Sequence, residues 1–367
     1  MFTIKHFINL ISSSIIGLIS LIFVYRYSLI NFNHPALLAF VYILLFLFVI
    51  FSFDRIKIIP GLKENNKYFF AAIVLFMLLL FYYVLFTSKP DTSFELLSIK
   101  NWLDNFYRGE FPYRLRGTFT AYPFLYLLAS PFYWIGNIAL LEVLAWTIIG
   151  LLLILQSATV REKIIKLFFL LVSPLTFYGL FESSGNFLSA VILITLIFIS
   201  NKYLKPGKVD IKFISIAVLF GLFFAVKWEI MIVLIIYMLF LFRNNIKDGL
   251  LFFEILSAVF LITIMPFILW NPVLFFFNGP FSLFFNSSVP WWGLLIFLLV
   301  SFYVGWIVSD LQEIFFASAV LLILPSLFNL LFVPEAGLSN FIFCLPFLIL
   351  SIKDFRIEKF AGKILQN

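Results

Sequence analysis

Long apolar runs alternate with short polar intervals along almost the whole chain. A helix needs roughly 20 apolar residues to cross about 30 Å of hydrocarbon, so we interpret each run as one crossing. The pattern predicts an all-α polytopic membrane protein of one domain with about twelve transmembrane helices. The runs cover residues 7–24, 37–53, 68–86, 138–155, 167–180, 187–199, 213–226, 230–242, 250–269, 291–308, 314–332 and 341–352.

Composition supports this interpretation and excludes several kinds of chemistry. Hydrophobic residues make up 63% of the chain and charged residues 12%, whereas an ordinary soluble domain has about 25% charged residues. The single cysteine, Cys344, excludes an internal disulfide, and only His6 and His34 could supply imidazole to a metal. A divalent cation would therefore depend on carboxylates and carbonyls. No sequence feature supports such a cation, and the sequence leaves the cofactor unknown.

Basic residues sort the loops into two sides. Lysines and arginines collect on cytoplasmic loops, and most of the 25 in this chain fall on alternate loops that share a side with both termini. We therefore expect cytoplasmic termini, with a basic tail at 353–367. The run at 7–24 lacks a small-residue cleavage site, so we expect a retained helix. The other side keeps Arg26, Lys89, Lys100, Arg108, Arg114, Arg116 and Lys227.

The interval 88–122 follows three predicted helices in residues 1–87, precedes the remaining helices in 123–352, and is expected outside the cell membrane. Thr92 and Glu95 have the T-x-x-E form of a capping box, and Gly109 is a suitable helix end. We predict an amphipathic helix over 92–108 that lies on the outer leaflet. Asp91 then has two open interpretations: an acid that interacts with the helix dipole, or a general base for an acceptor hydroxyl.

Two predicted hairpins, 167–199 and 213–242, have arms too short to cross the membrane fully. Their turns should therefore lie below the outer surface and border a polar cavity. Because charge at that depth is costly, a functional role is preferred over a neutral turn. The polar residues of the two turns are Glu182, Asn186, Lys227 and Glu229.

Other residues near these segments keep two interpretations each. Arg114 and Arg116 could attract anionic lipid head groups or bind a phosphate through their guanidinium groups. Glu142 could be a packed protonated acid or part of a cavity wall. Residues 271–290 are expected along the outer interface. Six tryptophans are expected to anchor the protein at the interface, with stacking on a sugar as the alternative: Trp102, Trp134, Trp228, Trp270, Trp291 and Trp292.

These features together resemble the GT-C superfamily of membrane glycosyltransferases, which includes mannosyltransferases dependent on polyprenyl-phosphate sugars. The similar features are an acid before a surface helix, a glycine, and Pro-Tyr and Tyr-Pro pairs, followed by a Ser-Pro, a Gly-Asn turn and a lysine turn. They cover about residues 91–242. In this chain they are Asp91, the 92–108 helix, Gly109, Pro112-Tyr113, Tyr122-Pro123, Ser173-Pro174, Gly185-Asn186 and Lys227.

The resemblance implies transfer of a sugar from a polyprenyl-phosphate donor to a glycan, lipid or protein acceptor on the outer face. Asp91 would be the general base, although Glu95 fits the distance to Gly109 better, so both stay candidates. The implied donor-binding set comprises Arg114, Arg116, Lys227, Glu182, Asn186, Glu229, Tyr113 and Tyr122. The alternatives are a transporter or lipid flippase, and a non-enzymatic subunit of an export assembly. No nucleic-acid partner and no nucleotide are predicted, since the chain has no phosphate-binding loop motif.

Overall fold

A computed structural model describes residues 4–31, 33–53, 66–87, 94–114, 121–176, 185–205, 207–227, 229–281, 291–332 and 334–353. These residues form helices and connecting turns, and no strand occurs within these ranges, as the sequence predicted. The helices are α1 (Ile4–Asn31), α2 (Pro35–Phe53), α3 (Asn66–Thr87), α4 (Phe94–Tyr107), α5 (Pro123–Trp134), α6 (Leu140–Gln156), α7 (Val160–Val172), α8 (Asn186–Tyr203), α9 (Ile211–Phe224), α10 (Ile230–Phe242), α11 (Ile246–Trp270), α12 (Pro272–Asn278), α13 (Trp291–Ile307), α14 (Leu311–Phe332) and α15 (Pro334–Ser351).

Within the described ranges, three helices are long and apolar enough to cross a membrane, namely α1, α8 and α11. Several others are apolar but shorter, including α6, α9 and α10. Each of the twelve predicted runs overlaps a helix. The helical character of the membrane protein is therefore clear, while the number of full crossings stays a prediction.

The predicted turn between α9 and α10 is present, because the two helices run back along each other. Phe213 near the start of α9 packs on Phe242 at the end of α10, with ring centroids 6.1 Å apart. Phe220 and Tyr237 stack midway, also at 6.1 Å. The break falls between Phe224, where α9 ends, and Ile230, where α10 begins.

The chain also returns between α6 and α8. These two helices run parallel from a common level, because Glu142 near the start of α6 meets Gly185 just before α8. One turn further on, Trp146 packs on Phe187 with ring centroids 5.7 Å apart. Two parallel helices require the intervening chain to travel back, as the predicted 167–199 hairpin does.

Loops predicted on the same side lie at the same end of the bundle. At one end, Asp310 pairs with Lys5 at 3.0 Å and with Lys353 at 3.7 Å. At the other end, the Tyr122 amide donates to the Val226 carbonyl at 2.9 Å. We call these the terminal end and the hairpin end. Which of them faces the cytoplasm stays a prediction from the basic residues.

Burial separates the central helices from those at the lipid. Every residue from 341 to 350 in α15 is buried, and α8 buries 61% of its apolar stretch against 22% for α11. Close crossings use glycine: a Cβ on Gly221 would lie 2.7 Å from the Leu256 carbonyl oxygen in α11. Small residues of this kind let membrane helices approach closely.

The surface helix differs from its prediction in what covers its apolar side. As predicted, it extends to Tyr107, and Gly109 follows with a positive φ of 74°. Leu103 is fully buried, however, and Trp102, predicted as an interface anchor, is 0% exposed. Its ring stacks on Tyr126 of α5 at 4.8 Å. That anchor prediction was wrong, because α5 and α11 supply protein partners that a sequence pattern cannot distinguish from lipid.

Candidate functional site

The turns before α8 and before α10 meet through a buried hydrogen bond. The Lys227 ammonium donates to the Asn186 side-chain oxygen, and the two residues are only 4% and 2% exposed. Lys227 follows the end of α9, and Asn186 opens α8. A buried ammonium is tolerated only with such partners, because transfer of a charge out of water is costly. Two turns predicted separately therefore form one cluster.

Gly185 is the residue that shapes the α8 side of the cluster. Its φ of 66° lies in the left-handed region, which disfavours residues with a Cβ, and an added Cβ would lie 3.1 Å from Leu125. Its amide donates to the Glu142 carboxylate at 3.0 Å, and its carbonyl accepts from Ser189 at 2.6 Å. Glu142 is fully buried. Glu142 therefore positions the turn before Asn186. The sequence did not reveal this role, because Glu142 lies in the first turn of an otherwise apolar helix.

Glu229 contributes a second carboxylate to the cluster. Its Oε2 atom is buried and has no hydrogen-bond partner in the described ranges. The Glu229 carboxylate interacts electrostatically with the Lys227 ammonium and with the Tyr122 hydroxyl. One oxygen of this carboxylate thus has unused hydrogen-bonding capacity beside the Lys227 turn.

The Tyr122-Pro123 pair is tied directly to the Lys227 turn. Besides the Tyr122 bond to Val226, the Phe124 amide donates to the Ala225 carbonyl at 3.1 Å. Tyr122 is 6% exposed and packs its ring edge-on to Phe281 at 5.5 Å. The end of the 88–122 interval therefore lies beside the buried lysine.

Tyr113 is completely buried, and its visible contacts are structural. Its hydroxyl donates to the Ala121 carbonyl at 3.3 Å, and its ring packs on Phe275 at 5.5 Å. Phe275 belongs to α12, so part of the 271–290 segment packs on protein while Phe277 is 61% exposed. A substrate contact of Tyr113 stays a prediction.

Arg114 lies at the surface of the same loop. Its guanidinium forms an ion pair with Glu110 at 2.9 Å, and its side chain is 65% exposed. The loop backbone is held by Asn278, whose amide donates to the carbonyls of Tyr113 and Arg114 at 3.3 Å each. Nothing in the sequence singled out Asn278, because its partners are more than 160 residues away.

Several predicted site residues lie outside the described residues. They are Asp91, Arg116 and Glu182, together with the Glu95 side chain, whose backbone belongs to the first turn of α4. The capping box and the choice of base therefore stay predictions, as does the polar cavity. Within the described ranges, no group of three or more His, Cys, Asp or Glu could hold a metal ion. Because the carboxylates of Asp91, Glu95 and Glu182 lie outside the described residues, a divalent cation at the site is not tested.

Comparisons of this chain with protein-family models, with curated proteins and with solved structures find no match. The residues themselves therefore carry the functional argument.

Proposed function

We propose that this protein is a membrane glycosyltransferase of the GT-C type. It would move a sugar from a polyprenyl-phosphate donor, as mannosyltransferases of that kind do, to a glycan, lipid or protein acceptor on the outer face. The observation that carries the proposal is the contact of the Lys227 turn with both Asn186 and Tyr122. Three short motifs of the resemblance, distant in sequence, thereby lie together at the hairpin end.

Lys227 has the properties required to bind the donor phosphate. A phosphate that enters the cluster would replace Asn186 as the partner of the Lys227 ammonium. The attraction between phosphate and ammonium is stronger at a buried site than in water. The same charge would stabilise the phosphate as it leaves. Arg114, and Arg116 beside it in sequence, would attract the donor to the membrane surface. Glu182, Glu229, Tyr113 and Tyr122 complete the proposed binding set.

The reaction needs one base and one leaving group. Asp91, or Glu95 in its place, would take the proton from the acceptor hydroxyl as its oxygen bonds to the anomeric carbon. The bond from that carbon to the phosphate oxygen breaks, and the polyprenyl phosphate departs with the electron pair.

A transporter or lipid flippase is the second candidate. It is favoured by the buried Lys227 and by Glu229 at the turn between α9 and α10, because charged residues at membrane depth often mark the path of a transported substrate. An export subunit without enzymatic activity would use the same helices as a scaffold.

One reconstitution experiment distinguishes these candidates. The purified full chain in lipid vesicles is given radiolabelled mannosyl or glucosyl polyprenyl phosphate with a glycan acceptor. We expect label in the acceptor, lost in Asp91→Asn or in Glu95→Gln, whichever residue is the base. Absence of transfer with every donor, together with movement of the labelled lipid between leaflets, would favour the flippase.

Orientation has its own test. Cys344 is fully buried, so a second cysteine introduced as Arg114→Cys would be the accessible thiol among the described residues. In intact cells it should react with a membrane-impermeant thiol reagent. Reaction only after lysis would show that the hairpin end faces the cytoplasm.

A further inference from the structure

An exposed aromatic surface lies where α4 and α5 end, beyond the buried contact between Trp102 and Tyr126. It consists of Tyr107 at the end of α4 and of Tyr133 and Trp134 at the end of α5, and we call it the aromatic shelf. The Tyr107 and Tyr133 rings stack with centroids 5.7 Å apart and an interplanar angle of 20°. Trp134 extends the surface at 5.7 Å from Tyr107. The shelf thus offers adjoining ring faces from two helices.

The rings are accessible although their backbones belong to the ends of helices α4 and α5. Trp134 is 71% exposed and Tyr107 43%, whereas Trp102, one turn before the end of the same helix, is buried. The α4 helix therefore has its core side and its shelf side on different faces. Exposed rings on a rigid base present apolar area with little loss of conformational entropy on binding.

A carboxylate borders the shelf at a defined position. The Tyr133 hydroxyl donates to Asp104, which lies one turn before Tyr107. This bond stabilises the phenol and raises the Tyr133 pKa above its ordinary value. A carboxylate oriented in this way can accept further hydrogen bonds from hydroxyl groups beside the rings.

The surroundings indicate an aqueous and charged surface. Arg108, Gly109 and Glu110 continue directly from Tyr107, and all three are exposed. A lipid-facing helix end would not favour an acid held next to its rings, because anionic groups gain nothing from anionic head groups. Flat rings with an adjacent carboxylate suit a ligand that has apolar C–H faces and many hydroxyls.

We propose that the aromatic shelf binds a neutral saccharide. The further assignment of this saccharide as the acceptor glycan rests on the proposed function. The sugar ring would stack on Trp134 and Tyr107, and its hydroxyls would donate to Asp104. Residues 108–110 are exposed and lead from Tyr107 to the loop that carries Tyr113 and Arg114. An acceptor held there would extend along the outer surface toward the buried lysine cluster.

Binding is tested with the full chain in nanodiscs of neutral phosphatidylcholine. The probes are neutral oligosaccharides of mannose, glucose and N-acetylglucosamine, titrated by calorimetry. We expect one of them to saturate the protein, Trp134→Ala to abolish the signal, and Asp104→Asn to weaken binding roughly tenfold, the loss of a hydrogen bond to a charged group. Tyr133→Phe should weaken binding less, since it frees Asp104 without removing it.

Trp306 provides the matched control, because it is 57% exposed on α13 and has no place in the shelf. Trp306→Ala should leave saccharide binding unchanged. The proposal is overturned if no saccharide binds, or if Trp134→Ala and Asp104→Asn bind as the unaltered protein does. It is also overturned if brominated lipid quenches Trp134 as strongly as Trp306, which would identify a membrane anchor.

The transfer assay separates this proposal from the proposed function. Saccharide binding that depends on Trp134, without sugar transfer from any donor, would support the saccharide site and contradict the glycosyltransferase proposal. Sugar transfer that is unaffected by Trp134→Ala and by Asp104→Asn would support the glycosyltransferase and contradict the saccharide site.

Discussion

The two ends of the bundle both bring distant charged residues together, but they treat those charges differently. At the terminal end, Asp310 is 27% exposed and its partners Lys5 and Lys353 are 56% and 46% exposed. At the hairpin end, Lys227 and Asn186 are almost completely buried. Exposed ion pairs contribute little to stability, whereas a buried charge is costly to retain. The terminal end buries the Lys166–Glu162 ion pair as well, but these two charges lie one turn apart on α7 and neutralise each other. The Lys227 ammonium is instead held by an uncharged side chain from another helix, so we expect the hairpin end to serve a site.

Removal of the buried charge should have the largest effect on activity. Lys227→Met is expected to lower sugar transfer by roughly 100-fold or more, because it removes the group that would stabilise the departing phosphate. Transfer by the reconstituted protein is the measurement, with thermal unfolding as the check on folding. Lys353→Met at the terminal end is the control and should transfer normally. Equal loss in both variants would contradict the contrast between the ends.

Two of the left-handed glycines, one at each end of the bundle, allow a matched comparison of strain. Gly185 at the hairpin end has φ 66°, and Gly207 at the terminal end has φ 90°. Each Gly→Ala change should lower the free energy of unfolding by about 1–2 kcal/mol, the cost of a left-handed residue with a Cβ. Only Gly185→Ala should also reduce transfer, because it moves Asn186. Full activity of a folded Gly185→Ala protein would argue against a functional turn.

Asn278 and Asn9 test whether loop anchoring matters only near the site. Asn278→Leu removes two hydrogen bonds to the 113–114 backbone, at about 1 kcal/mol each, and should raise amide hydrogen exchange in residues 111–114. Asn9 accepts from Gln312 at 3.0 Å and from the Lys353 amide at 2.9 Å. Asn9→Leu should loosen the terminal end to a similar extent with normal transfer. Unchanged exchange in 111–114 would show that other contacts hold the loop.

The smallest effect is expected from Asp310. Burial acts to raise its pKa, but the Glu313 amide together with Lys5 and Lys353 outweighs burial and holds the pKa below its ordinary value. A carboxyl with a lowered folded-state pKa stabilises the protein above its unfolded-state value of about 3.9, and this contribution is lost as pH falls further. The free energy of unfolding should fall less steeply below about pH 4 in Asp310→Asn than in the unaltered protein. The difference should be less than roughly 1 kcal/mol. A pH profile identical to that of the unaltered protein would show that Asp310 does not contribute to this pH dependence.

The helical segments could be predicted because hydrophobicity is a local property. Continuous apolar runs can satisfy their backbone in a membrane only as helices, so the twelve runs and the α4 helix were visible in the chain. The hairpin between α9 and α10 followed from the bases at both of its ends. The surroundings of Trp102 could not be predicted, since an apolar face packs equally well on lipid and on protein. The same limit applies to Asn278, whose partners are remote in sequence.

Sequence alone determined the class of protein, the order of its helices and the segments that carry costly polar residues. Those properties depend on composition and on neighbours along the chain. Only the tertiary structure decided that Lys227 meets Asn186, that Glu142 holds Gly185, and that one face of α4 is core while the other forms the aromatic shelf. These are contacts between remote segments, and their geometry depends on how whole helices pack.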